Sequence, residues 1–403
     1  MSSSAFRATT YEERPWSPAY DVDSLSRRKL AKLPRTIRSA VPLPIAGTAF
    51  EVPLALAAEV EDAAAAIVRL DSYLDASLGP DDLAPMQSVL LRSESAASSQ
   101  IENLTVGARQ LAVAELGRAA SHNARLVAHN VQAMNAAIRL SDRLDLDAIL
   151  AMHEALLGQH APQHAGRWRD RQVWIGSDPL MPLATSFIPP NPDRVAPAMD
   201  DLVTFLRRED LPVLVHAAIA HAQFETIHPF ADGNGRTGRA LLHALLRNKG
   251  LTRRVTVPIS AGLLTDTASY FGALTAFREG DIEPIVEQVS DAAHRAVTHS
   301  QWLVGQLVSV RDAWISRLPS RAGSTGGRLV GLLIGQPAVD VAYVQQALAV
   351  AYTTASHAIG QAVAAGVLKQ TTDKKRNRVW IARDVVEILD EFAERAGRRD
   401  HSG

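Results

Sequence analysis

A mainly α-helical fold with one small β-hairpin and a second helical module near the C-terminal end is what this sequence predicts, on three observations. Apolar residues recur at helical spacing through most of residues 54 to 318. One stretch, residues 166 to 190, instead sets β-branched and aromatic residues between turn formers. Residues 317 to 327 then break the composition with Pro319, Gly323, Gly326 and Gly327 among small residues, and 319–327 reads as a linker.

Composition sets the outer limits. A chain of 403 residues has room for two or three domains, and a net charge of −1 with 47% hydrophobic residues describes a globular protein rather than a disordered or strongly nucleic-acid-like one. The absence of cysteine excludes thiol catalysis, cysteine-based zinc sites and disulfides, and suits a reducing interior. No apolar run approaches the roughly 20 residues of a membrane span, so no membrane association is expected. The start Met1-Ser2-Ser3-Ser4, soon followed by Glu12 and Glu13, lacks the pattern of a secretory signal, and the cytoplasm is the expected location.

In chain order, residues 1–50 are rich in Arg, Ser and Pro and read as an extended or wrapping arm. A helix is expected from about Leu83 to Leu104; it carries Ser98 and Glu102, which, four apart, share a face. Gly166-Arg167-Trp168-Arg169, Gln172 to Gly176 and Thr185 to Pro190 form the expected hairpin. Leu211 to Ile227 is nearly all apolar and reads as a buried helix, with Asp210 as N-cap and Pro212 in its first turn. A further helix from Arg236 to Asn248 sets Ala240, Leu241, Ala244 and Leu245 at core spacing, with Gly250 where a left-handed C-cap belongs. A domain at 51–318 is expected to contain all of these.

Beyond the linker, residues 329–334, 341–350 and 354–365 look like three short helices, followed by the basic turn Asp373 to Arg378 and by Val379-Trp380-Ile381. The order in 328–383 resembles a winged helix-turn-helix, whose third helix would be the DNA reader. Arg321 to Arg383 holds eight Lys/Arg against two acids, whereas 384–403, read as an acidic tail, holds six acids against three Arg. The reading helix offers Thr353, Thr354, Ser356, His357 and Gln361 without Arg or Lys, so phosphate anchoring would fall to the turn. Protein docking or dimerisation is favoured over DNA binding, and both stay open.

Between the two helices at 211–227 and 236–248 lies the most informative segment, His228-Pro229-Phe230-Ala231-Asp232-Gly233-Asn234-Gly235-Arg236-Thr237-Gly238-Arg239. A base, a carboxylate, a glycine-rich turn and two arginines open a helix there, where orphan amides and the helix dipole favour anions; it reads as a triphosphate site. Gly233, Gly235 and Gly238 spell the dinucleotide fingerprint, but neither the preceding strand nor the acidic ribose partner is evident. The Walker spacing and its lysine are missing too. His216 and His221 read as satisfied structural histidines rather than as metal ligands with His228.

This segment resembles the signature of the Fic family, H-P-F-x-D/E-G-N-G-R-x-x-R, at every defined position. The resemblance implies transfer of AMP from ATP to a hydroxyl side chain of a target protein, self-modification included, with release of pyrophosphate. It implies that His228 takes the proton of the attacking hydroxyl, that Asp232 holds Mg²⁺, and that Gly233, Asn234, Gly235, Arg236, Thr237, Gly238 and Arg239 bind the nucleotide. Gly235 resembles the AMP-transferring members rather than those with lysine there. Ser98-Ser99-Gln100-Ile101-Glu102-Asn103 resembles the family's inhibitory motif, S/T-x-x-x-E-G/N, which implies that Glu102 pairs with Arg239. The hairpin implies a flap, with Ser186, Phe187 and Ile188 holding the target segment by strand addition. Ile259-Ser260 and Tyr270-Phe271 resemble the stretch after the core, with Tyr270 flanking the adenine. The resemblance allows a homodimer and leaves open AMP removal, or a DNA-binding regulator whose core senses a nucleotide.

Overall fold

The computed structural model describes residues 4–17, 33–78, 80–118, 120–176, 185–318, 323–371 and 378–397. Four short strands open it: β1 (Ser4–Ala5), β2 (Thr10–Pro15), β3 (Thr36–Val41) and β4 (Thr48–Ala49). Helices α1 (Leu54–Ser77), α2 (Pro80–Ile101), α3 (Ala108–Glu115), α4 (His122–Arg139) and α5 (Leu146–Leu157) follow. Strands β5 (Ile175–Gly176) and β6 (Thr185–Phe187) lead to α6 (Val195–Leu206), α7 (Val213–Ile227), α8 (Asn234–Asn248), α9 (Ile259–Leu264), α10 (Thr267–Arg278) and α11 (Glu283–Arg317). The chain closes with α12 (Thr325–Gly335), β7 (Ala338–Val339), α13 (Val341–Leu348), α14 (Tyr352–Ala364), β8 (Lys369–Gln370), β9 (Trp380–Ile381) and α15 (Arg383–Ala396). The fold is mainly helical with small sheets, as the apolar periodicity predicts. No described helix is long and apolar enough to cross a membrane.

Two compact units interleave along the chain. The first joins Met1–Glu61, Ala136–Asn248 and Ala268–Gln288; the second joins Asp62–Asn135, Lys249–Thr267 and Val289–Gly403. In the first unit, the described part of the arm is paired backbone: β1 runs parallel to β4, and β2 antiparallel to β3 with Thr10 opposite Val41. Ile45, fully buried, is held there by its amide, which donates to Asp201 Oδ2 at 2.6 Å. β5 and β6 form the expected antiparallel hairpin, with Ile175 opposite Phe187.

α7 is buried from Leu214 to Ile227, as an apolar sequence of that length requires. Its cap departs from expectation. Pro212 occupies the N-cap, while Asp210 is held by both ends of the Arg208 guanidinium, at 2.8 and 2.6 Å. A charge-assisted fork outcompetes a single cap bond, and it holds the Asp210 carboxyl down at about 2. Gly250 takes the left-handed conformation expected after α8, at φ 73°.

In the second unit, α2 is the organising helix. Buried Arg92 gives Nε to Glu115 on α3 at 2.7 Å, Nη1 to the carbonyl of Gly335 at 2.7 Å and Nη2 to Gln336 Oε1 at 2.9 Å. Gln336 in turn donates to the carbonyl of Ala112 at 2.9 Å. Gly335 lies so close that a Cβ there would meet Pro85 Cα at 3.1 Å. Buried Glu94 accepts from the amide of Ser260 on α9 at 2.8 Å, and Asp390 on α15 accepts from the amide of Ala108 at 2.8 Å.

Two segments differ from their expected roles. Residues 324–327 are not linker: Ser324 caps α12 by accepting from the amide of Gly327, and a good N-cap outweighs the two glycines of the first turn. Residues 319–322 lie outside the described residues. The acidic tail is, from Arg383 to Ala396, a helix that buries Val385, Val386, Ile388, Leu389, Phe392 and Ala396. Glu387, Glu391 and Glu394 lie on the outer face of this amphipathic repeat, whereas Asp384 accepts from Trp314 Nε1 at 2.9 Å and Asp390 from Ala108. Here β7, β9 and β8 form one antiparallel sheet in that order, between and beside α12 to α15. Of the basic turn, Arg378 is exposed and 372–377 lie outside the described residues.

Candidate active site

The site is built in the first unit from the C-terminal end of α7, the turn after it and the first turn of α8. α7 ends on His228 in the left-handed conformation, φ 50° and ψ 60°, with its amide still donating to Phe224 O at 2.8 Å. A residue with a Cβ is strained there. Arg169 holds the strained backbone: Nε donates to His228 O at 2.8 Å, Nη2 to Pro190 O at 2.5 Å, and its amide to Pro229 O at 3.0 Å. Arg169 is only 4% exposed, and burial brings its pKa down to about 10, which still leaves it charged at neutral pH. Burial, and then the charges of Arg169 and Arg278, push the His228 imidazole down to about 3, so it is neutral and able to accept a proton.

Phe230 is the anchor of the turn. Its ring stacks on His153 of α5, with centroids 3.6 Å apart and planes 8° from parallel, and on Trp168 at 5.1 Å. His153 Nδ1 accepts from the amide of Gly166 at 3.1 Å, so Nε2 carries the hydrogen and donates to the carbonyl of Asp232 at 3.0 Å. Burial, chiefly, lowers its pKa to about 4 and keeps this neutral tautomer. Asn234 closes the loop on itself, its Oδ1 accepting from the amide of Phe230 at 2.8 Å and its Nδ2 donating to the carbonyl of Phe230 at 2.9 Å. Both amide ends are thus engaged in shaping the turn, rather than extending toward a ligand as the sequence suggested.

The turn leads straight into an anion-seeking helix start. Gly233 has φ 76°, and a Cβ on it would lie 2.9 Å from Leu156 Cδ2. α8 begins at Asn234, two residues earlier than expected, and Arg236 and Arg239 in its first two turns are both buried. Asp232 is the exposed member, with a side chain 62% accessible; its Oδ1 accepts from the amide of Gly233 at 2.6 Å and lies 3.7 Å from Arg236 Nη2. Gly235 is half-buried and Thr237 fully buried.

Gly238 serves packing. A Cβ there would meet Phe224 Cδ1 at 2.9 Å and Glu225 Oε1 at 3.0 Å, which α7 cannot concede. Gly238→Ala is therefore expected to destabilise the protein by about 1–3 kcal/mol, as overpacked cores do. A chemical denaturation midpoint equal to that of the parent would remove this role.

Two sequence readings change here, those of Tyr270 and of the end of α2. Tyr270 is 1% exposed and its hydroxyl meets His221 Nε2 at 2.8 Å, so the ring belongs to the interior in place of the adenine-flanking position expected. His216 Nε2 bonds the carbonyl of Phe205 at 2.9 Å, in keeping with structural histidines. α2 stops at Ile101, not at Leu104, because Asn103 turns left-handed at φ 62° and the amide of Leu104 returns to Ser99 O at 3.0 Å. Glu102 thus sits in the turn that ends α2, half-buried, one turn beyond fully buried Ser98. Both belong to the second unit and Arg239 to the first. In the flap, Phe187 is buried with the Arg278 guanidinium 3.9 Å over its ring, and Ile188 O accepts from the amide of Ala40 at 2.9 Å. Residues 177–184 and the side chain of Ser186 lie outside the described residues. Sequence reasoning assigned no role to Arg169, His153 or Glu225; only Glu225, three residues before His228, offered a local signal.

Comparison with known proteins agrees with the turn. Residues 143–246 match the model of the Fic/DOC family. The chain is 33% identical over 159 residues to protein adenylyltransferase fic-1 of Caenorhabditis elegans, a match covering 39% of this chain and 28% of that one. It is 30% identical over 164 residues to protein adenylyltransferase Fic of Nematostella vectensis, covering 40% of this chain and 35% of the relative. Each match thus spans about a third or less of the relative's length. The crystal structure of a Fic family protein from Desulfovibrio desulfuricans G20 shares the fold, with TM-score 0.53 and 22% identity over 85% of this chain and 98% of that one. Residues 143–246 of this chain thus match the Fic/DOC family, and the chain shares the fold of a Fic family protein.

Proposed function

We propose that this protein transfers AMP from ATP to a Ser, Thr or Tyr hydroxyl of a target protein, with release of pyrophosphate. The observation that carries the reading is a neutral His228, its backbone locked by Arg169, at the mouth of a helix N-terminus flanked by Arg236 and Arg239. His228 accepts the hydroxyl proton, while the amides and arginines hold the triphosphate. Among the described residues no group of three or more His, Cys, Asp or Glu side chains is placed to hold a metal ion. The single exposed carboxylate of Asp232 fits Mg²⁺, a hard cation content with one carboxylate when phosphate oxygens and water complete its shell. When bound, the ion neutralises phosphate charge. Incubation of the full chain with labelled ATP and Mg²⁺, followed by intact-mass measurement, is expected to show an addition with the mass of AMP on this protein or on a supplied partner. Release of free nucleotide products alone would refute the reading.

Glu102, in this proposal, restrains the enzyme by pairing with Arg239; the inhibitory motif and the buried setting of Ser98 support it. The alternative reading is that the same site also removes AMP from the target. The protein works in the cytoplasm, as monomer or homodimer.

A second reading concerns residues 325–397, where the order helix, strand, helix, helix, strand, strand supports a winged helix-turn-helix. Thr353, Thr354, Ser356 and His357 are exposed on α14. If the segment binds duplex DNA, neutralising Lys374, Lys375, Arg376 and Arg378 flattens the salt dependence of binding. No binding at low salt leaves it as a docking or dimerisation element, the favoured outcome.

A further inference from the structure

Arg169 fixes the backbone of His228 but leaves the imidazole two free torsions, and a general base needs its ring and its tautomer fixed as well. Within the first unit, one buried group is placed for that. Glu225, one turn earlier on α7, is 6% exposed, and its Oε2 stands 3.7 Å from His228 Nδ1. An ionised carboxylate at that depth needs a charged partner. Arg278, at the end of α10 and itself buried, is that partner: the carboxylate of Glu225 works against the burial that lowers the Arg278 pKa. Gly238 leaves the space that Glu225 occupies, since a Cβ there would stand 3.0 Å from its Oε1. The charges that bear on the imidazole are Arg169, from the segment before β5, and Arg278, from α10; the backbone of Glu225 also hydrogen-bonds the ring, and the Glu225 carboxylate stands 3.7 Å from Nδ1.

We propose that Glu225, backed by Arg278, is a positioning residue for His228: it accepts a hydrogen bond from Nδ1–H and so leaves Nε2 as the atom that takes the acceptor proton. The inference rests on the AMP-transfer reading and names the working nitrogen within it. The 3.7 Å separation closes by a small rotation of the ring, of the kind that tightens loose hydrogen bonds when substrate binds. As the hydroxyl oxygen bonds to the α-phosphorus, the bond from that phosphorus to the bridging oxygen breaks and pyrophosphate leaves with the electron pair. The hydroxyl proton passes to Nε2, and the imidazolium is stabilised by the carboxylate until Nε2 returns the proton to solvent or to the leaving group. Arg278 also stacks on Phe187 of β6, 3.9 Å from the ring centroid, so the flap and the base share one support.

The test uses the full chain in two variants, Glu225→Gln and the double change Glu225→Met with Arg278→Met, which removes both buried charges at similar volume. Long-range nitrogen–proton NMR on histidine-labelled protein, with His228→Ala to assign the signal, reports which ring nitrogen carries hydrogen without any need for activity. The expected parent state is Nδ1–H with Nε2 bare. In the double variant the fixed tautomer is expected to be lost and AMP transfer from ATP with Mg²⁺ to fall about a hundredfold or more, while ATP affinity stays put. Glu225→Gln, which still accepts a hydrogen bond, is expected to recover part of the rate. A bare Nδ1 in the parent, or an unchanged tautomer or rate in the double variant, overturns the proposal. Absence of AMP transfer from both the parent and Glu102→Gly refutes the enzyme reading instead, and the tautomer still decides this one.

Discussion

His228→Ala is expected to abolish AMP transfer while leaving the fold and most nucleotide affinity in place. A positioned general base contributes about 10²- to 10⁴-fold, and nothing else in the turn replaces an imidazole whose burial keeps it neutral. In the proposed reading the triphosphate is held by other parts: the first turn of α8 and the buried arginines Arg236 and Arg239. Phe230, stacked on His153, and Asn234, closed on the backbone of Phe230, keep the turn in shape without His228. The same burial sets the pH dependence. With its folded pKa lowered to about 3 from the ordinary 6.5, His228 stays unprotonated through mild acid, so the rate has no acidic limb near pH 6.5. Near-normal transfer by the variant, measured at saturating ATP and Mg²⁺, would sink the assignment of the base.

Glu102→Gly is expected to raise transfer about a hundredfold or more, because misplacing the α-phosphate relative to the base by an ångström has that effect. If the glutamate pairs with Arg239, ATP binds with its γ-phosphate displaced and its α-phosphate badly presented to His228. Freed of Glu102, Arg239 clamps the phosphates, and self-modification becomes visible by mass. Arg239→Ala removes the restraint and the clamp together, so it does not mimic the glutamate variant. Equal rates for parent and Glu102→Gly on the same acceptor would return Ser98 to Asn103 to an ordinary helix end.

The reactive turn was legible in sequence because its chemistry is contiguous: base, carboxylate, glycines and arginines lie within twelve residues, and the apolar repeats on either side announce the two helices. What supports the turn was not. Arg169 reaches the carbonyl of His228 across 59 positions, and His153 that of Asp232 across 79, so no local pattern announces either. Tyr270 failed for the opposite reason, since an aromatic on a helix carries no mark of which way it faces. Asp210 has cap chemistry, but Arg208 two residues earlier claims it. The C-terminal acids hid the repeat beneath them, because charge is read residue by residue while an amphipathic face is read only around the helix.

The Arg92 junction bears on how such a chain can be inherited. A gene cut after the codon for Leu318 would yield a protein whose Arg92 has lost the carbonyl of Gly335 and the amide oxygen of Gln336 as acceptors, and whose α2 has lost the cover of Gly335 at Pro85. The pair with Glu115 survives, but each lost hydrogen bond to the guanidinium is worth about 1.5–3 kcal/mol. The 85 codons after Leu318 are therefore not a cassette that recombination can trade freely; an exchange that succeeds must bring along the matching stretch around Pro85 and Arg92, more than two hundred codons upstream.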